Sequence, residues 1–131
     1  MKIFQRTHLS AIAILIGLAI ATGLNAKRLE GVWKLQSGRN ISYKIFKKDG
    51  HYINLRSTDN GKTFQISREG KYEILIPGIY LEHEKKIYGR VTDRDVVITY
   101  KEVNNKLVLS FKINRDNYKE EWIRSDKDPL D

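Results

Sequence analysis

Between residues 29 and 124 the chain alternates short runs of β-branched and aromatic residues with compact turn signals, the pattern of consecutive β-hairpins. Leu107, Leu109, Phe111 and Ile113 share one face of a run whose other face carries Val108, Ser110 and Lys112. Ile41, Tyr43 and Ile45 oppose Ser42 and Lys44, with Phe46 breaking the series. His51, Ile53 and Leu55 oppose Tyr52, Asn54 and Arg56. Tyr72, Ile74 and Ile76 oppose Lys71 and Glu73, and Val96, Ile98 and Tyr100 alternate with Val97, Thr99 and Lys101. Period two places each set on one side of a strand. No stretch after residue 26 sustains helical spacing.

The turn signals are SGRN (37–40), DG (49–50), STDNGK (57–62), REG (68–70), PG (77–78), TDRD (92–95), NN (104–105) and NRDN (114–117). Eight breaks predict about nine strands. A further turn near Lys85 widens the range to between eight and ten. Hairpins with one apolar face must bury that face against one another, in a closed barrel or a two-sheet sandwich. Local turns favour the up-and-down meander, and closure removes the edges that promote aggregation. The expected fold class is therefore all-β, a small up-and-down antiparallel β-barrel.

Residues 1–26 change the compartment rather than the fold. Lys2 and Arg6 precede an apolar run from Leu9 to Ala21, and small residues lead to Ala26. That layout is a signal peptide cleaved after Ala26, which leaves 27–131 as one barrel domain and a periplasmic or secreted protein. The chain has no cysteine, so neither disulfides nor a lipidated cysteine anchor can form. The chain carries 24 basic and 16 acidic side chains, and setting Lys2 and Arg6 aside leaves 22 against 16. The charge is scattered, which suits solvated strand faces and attraction to an anionic surface. No nucleic-acid signature appears, and no nucleic-acid partner is expected.

Candidate chemistry follows from the alternation. It puts Tyr43, Tyr72, Tyr100 and Tyr118 inside, with His51, His83, Glu102 and Glu120 as further candidates. Tyr43, Tyr72, His83, Tyr100, Tyr118 and Glu120 are thus the expected ligand-binding set, for a small hydrophobic or amphipathic molecule. The alternative is a filled barrel whose basic outer faces, with Tyr52 and Tyr80 exposed, meet an envelope protein or an anionic membrane surface. In EHE (82–84) the two glutamates face one way and His83 the other, so three metal ligands do not converge on one strand. Neither metal nor cofactor is expected. The chain lacks a nucleophile elbow, a cysteine nucleophile and a glycine-rich phosphate loop. It reads as a non-enzyme, although Glu102 and Glu120 form one carboxylate pair to keep in view.

The two ends of the chain carry a resemblance. GVWKL (31–35), YKIFKKDGHYIN (43–54) and EEWIR (120–124) are similar to the calycin superfamily, which holds the lipocalins and the intracellular fatty-acid-binding proteins. They resemble most a family of bacterial exported lipocalin-like domains of unknown function, over residues 29–124. The resemblance implies that Gly31 lets the first strand bend in and that Trp33 floors the barrel. It further implies that Arg124, beside Trp122, packs on Trp33 as a cation–π pair worth about 0.5–2 kcal/mol. The match departs from those relatives in three respects. The first connection is about four residues, too short for a helical lid. Seven residues follow Arg124, and the Thr-Asp-Tyr motif of lipocalins is absent.

Overall fold

The computed structural model describes residues 29–130, so the signal-peptide reading of residues 1–26 lies outside the described residues. Eight strands follow one another: β1 (Gly31–Ser37), β2 (Asn40–Phe46), β3 (His51–Ser57), β4 (Gln65–Ile76), β5 (Ile79–Ile87), β6 (Arg90–Val103), β7 (Lys106–Ile113) and β8 (Asp116–Arg124). Each pairs antiparallel with the next, and β1 meets β8 to close the barrel.

Two of the expected breaks are not turns. The REG stretch lies inside β4, where the register with β5 shifts between Glu69 and Gly70. Gly70 is there because the chain next door comes too close for any side chain: a Cβ would lie 2.1 Å from the His83 carbonyl oxygen. Glycine within a strand commonly marks such an approach. TDRD lies inside β6, where Asp93 takes φ 54° and the register with β5 slips between Glu84 and Lys86. This is bulge geometry, which bends a strand without ending it. Conversely, the hidden turn falls at Tyr88–Gly89 rather than at Lys85, with φ 47° and 78°. Tyrosine is an unusual residue for a primed hairpin turn, which is why the pattern concealed it.

The phase of β2 and β3 is opposite to expectation. Register pairs Trp33 with Lys44, Lys44 with Asn54 and Phe46 with Tyr52, so these residues share the inner face. Phe46 and Tyr52 belong to the main core with Trp33, Tyr80, Ile98, Leu107, Leu109 and Trp122. Ile41, Tyr43, Ile45 and Leu55 form a separate cluster on the outer face. That outer cluster is still buried, because the β3–β4 segment folds over it. Phe64 packs on Tyr43 at 5.6 Å between ring centroids, and Gly61 lies beside Ile41. The segment is held by the Ser57 hydroxyl, which accepts from the Gly61 N–H at 2.9 Å, and by Asp59, which accepts from the Thr63 N–H and hydroxyl. These bonds, those to Thr63 first, hold the Asp59 carboxyl well below the usual range. Tyr52 and Tyr80, expected outside, are fully buried.

Candidate functional site

Up-and-down order sends alternate connections to opposite ends of the barrel. Gly38–Arg39, segment 58–64, Tyr88–Gly89 and Asn114–Arg115 ring one end. The turns at 47–50, 77–78 and 104–105 lie at the other, with the starts of β1 and the end of β8. This second end is sealed. Arg124 sits 4.0 Å over the Trp33 ring, donates to the Glu30 carbonyl at 2.9 Å and pairs with Glu102 at 3.1 Å. The Trp33 indole N–H donates to the Leu29 carbonyl at 2.9 Å. Gly31, at φ 130°, leaves room for the guanidinium, which a Cβ would meet at 2.6 Å. Above this seal Phe46, Tyr72, Tyr80 and Tyr100 pack edge to face, with centroids 4.9 to 5.6 Å apart.

Toward the ringed end the side chains draw apart and leave a cavity of about 490 Å³. Its two walls differ. Strands β2 to β6 contribute Ser42, Lys44, Asn54, Arg56, Arg68, Glu82 and Arg94. The opposite wall, from β6 round to β1, is built of Val96, Ile98, Phe111, Ile113, Trp122 and Leu35, with Tyr118 and Glu120 at its rim.

The floor of the cavity is a buried ion pair. Lys44 Nζ lies 2.6 Å from Glu82 Oε2, and Tyr80 donates its hydroxyl to the same oxygen at 2.6 Å. The ammonium also lies 5.0 Å from the Tyr52 ring centroid, 5.6 Å from Phe46 and 6.0 Å from Trp122. Ion pair, hydroxyl and aromatic faces together compensate for the water that the charges lose. Burial, reinforced by Glu82, pushes the Tyr80 hydroxyl well above its ordinary value. Burial likewise raises Tyr52, with Glu82 and Glu84 adding to the effect. Higher on this wall Arg68 and Arg94 reach the same oxygen of Glu84, at 3.2 and 3.1 Å.

The structure divides the expected ligand-binding residues. Tyr118 and Glu120 line the cavity, with Tyr118 stacked on Phe111 at 5.4 Å and Glu120 accepting from the Trp122 indole at 3.1 Å. Tyr72 and Tyr100 face inward but sit in the packed layer toward the sealed end. Tyr72 donates to the Lys47 carbonyl at 2.8 Å, and its burial pushes its pKa up to about 12. Two residues are corrections. Tyr43 points outward under Phe64, because the inner phase of β2 belongs to Lys44 and Phe46. His83 also points outward, where Nδ1 meets Asp95 and Nε2 lies 3.1 Å from Asp93; Glu82 and Glu84 take the inner face of β5. His51 is exposed beside Asp49, and Glu102 is engaged by Arg124 rather than paired with Glu120.

Sequence reasoning missed Lys44, Asn54, Arg56, Arg68 and Arg94, since charged residues on a strand are ordinarily solvated. One signal was available for the first three. Phe46 and Tyr52, the bulkiest residues flanking the β2–β3 turn, share a strand parity with Lys44, Asn54 and Arg56, and aromatics anchor a phase more firmly than Ile or Leu.

A closed eight-stranded antiparallel barrel fits a calycin-like fold. Residues 28–130 match the family described as "Domain of unknown function (DUF4488)", and the chain belongs to that family. No curated protein matches it.

Proposed function

We propose that the chain is an exported barrel of calycin type that holds a small molecule with an apolar body in its cavity. The cavity carries this reading. It is open at the ringed end, and its volume falls within the roughly 300–1,000 Å³ of small-molecule sites. An eight-stranded barrel is at the size where side chains can fill the interior entirely, so a hollow half beside a packed half requires arrangement. Here Phe46, Tyr72, Tyr80 and Tyr100 meet ring to ring toward the sealed end, whereas at the other end Phe111, Tyr118 and Trp122 stand on one wall and face the polar side chains of the other. The apolar wall supplies burial, while the polar wall orients the ligand. The signal-like residues 1–26 favour a periplasmic or secreted location, and the absence of cysteine favours a protein not held by a lipidated cysteine.

Titration with the neutral fluorophore N-phenyl-1-naphthylamine tests the reading, with energy transfer from Trp122 reporting proximity. Saturable one-to-one binding is expected, and Val96→Phe, which fills the cavity from its apolar wall, is expected to abolish it. Absence of saturable binding to the intact barrel by this probe and by a charged analogue would overturn it.

A further inference from the structure

We infer that the ligand carries an anionic group, such as a carboxylate, sulfonate or phosphate, seated on Arg68 and Arg94. The inference rests on the ligand-binding reading above and names the chemical class that the cavity selects.

Charge matching along the polar wall is incomplete. Lys44 is matched by Glu82 at 2.6 Å. Arg68 and Arg94, from the strands on either side of β5, share the single carboxylate of Glu84, and both use its Oε2. Two guanidinium groups on one carboxylate leave one positive charge in excess. Nearer the mouth, Arg56 lines the same wall and makes no ion pair among the described residues. The remaining carboxylate of the lining, Glu120, lies on the opposite wall, engaged with Trp122.

Accessibility runs the same way as charge. The Glu84 side chain is 2 % exposed, whereas those of Arg68 and Arg94 are 39 % and 35 % exposed. The carboxylate is therefore sealed beneath, and the two guanidinium groups are presented to the cavity. A guanidinium presents several N–H groups in a planar fork, so one pinned by Glu84 on one edge still offers the other edge to a carboxylate, sulfonate or phosphate. Asn54, the register partner of Arg68, has a buried amide oxygen with no hydrogen-bond partner. Turning that amide would present its NH₂ as a further donor. Facing this group, Phe111 and Trp122 would cover the apolar body of the ligand. A small amphipathic acid satisfies both walls; a neutral lipophile leaves the excess charge unanswered.

Two fluorophores with one aromatic body separate the possibilities: 1-anilinonaphthalene-8-sulfonate and its uncharged parent N-phenyl-1-naphthylamine. The sulfonate is expected to bind one-to-one, about tenfold or more tighter than the neutral probe at low salt, with energy transfer from Trp122. Arg68→Gln, which leaves the Arg94–Glu84 pair in place, is expected to weaken the sulfonate about tenfold and to leave the neutral probe within about twofold. Arg56→Gln breaks no ion pair among the described residues, so its folding is not at issue, and it is expected to weaken the sulfonate severalfold. Equal affinity of the wild-type barrel for the two probes would overturn the inference, as would sulfonate affinity unchanged in both variants. Either result leaves the small-molecule reading standing. Failure of both probes to bind saturably would remove that reading and this inference with it.

Discussion

Trp33 is sealed between the Leu29 carbonyl, which takes its indole N–H, and the guanidinium of Arg124 above its ring. Few positions combine so much apolar area with contacts to both ends of the described chain. Trp33→Ala leaves a large void at the sealed end and strips Arg124 of its aromatic face. The expected loss in urea unfolding is about 3–5 kcal/mol, the range for buried tryptophan truncation; a near-neutral result would remove Trp33 from the closure. This pairing was legible in the sequence, because Gly31, Trp33 and Arg124 match a pattern that ties the first strand to the last. Lys44 was not legible. A lysine between Tyr43 and Ile45 reads as an outward charge. Only its three aromatic neighbours and Glu82, drawn from four other positions in the chain, make a buried ammonium tolerable.

Among the elements, β1 is held unequally along its two edges. It pairs with β2 over its whole length, from Gly31↔Phe46 to Ser37↔Asn40. Its pairing with β8 comprises Trp33↔Arg124 and Lys34↔Ile123, extended by a bond from the Ser125 N–H to the Val32 carbonyl at 2.8 Å. Backbone groups alternate sides along a strand, so the N–H groups of Val32, Lys34 and Gln36 all face β8. The seam therefore parts toward the mouth of the cavity. Opening free energies are lowest where backbone bonds are few. In amide hydrogen exchange, Gln36 is expected to exchange much faster than Leu35, whose N–H faces β2. Equal protection of the two would show that the seam is closed along its full length. The number of elements was close to readable, since turns with glycine or asparagine announce themselves. Gly70 and Asp93 misled because glycine and aspartate serve bulges and close approaches as readily as turns, and Tyr88 hid a turn that only φ reveals.

At the scale of the whole molecule, the packed half of the barrel couples stability to alkaline pH. Burial raises the hydroxyl pKa of Tyr52, Tyr72 and Tyr80, with Tyr72 at about 12. A raised value means that the native state holds its proton more tightly than the unfolded chain, whose tyrosines titrate near 10. The stabilisation is therefore complete below about pH 10 and is lost as pH rises through the folded values. Phenolate absorbance followed with pH is expected to show these three tyrosines silent through the ordinary range near 10, then released together with loss of near-ultraviolet circular dichroism. Titration of all seven tyrosines in one step near pH 10 would mean that the layer is open to water.

The sequence by itself determined an antiparallel barrel of consecutive hairpins and the device that seals one end of it. Those features rest on local turn chemistry, on period-two alternation and on a few large residues near the ends of the barrel. Whether the interior was hollow, and which face of β2 and β3 looked into it, were decided only by tertiary structure. Alternation defines two faces without saying which is inner when a loop covers the outer one, as segment 58–64 covers Ile41 and Tyr43. Likewise, Arg56, Arg68 and Arg94 become one charged wall only when β3, β4 and β6 curve around a shared space, because that proximity is a property of closure and not of spacing along the chain.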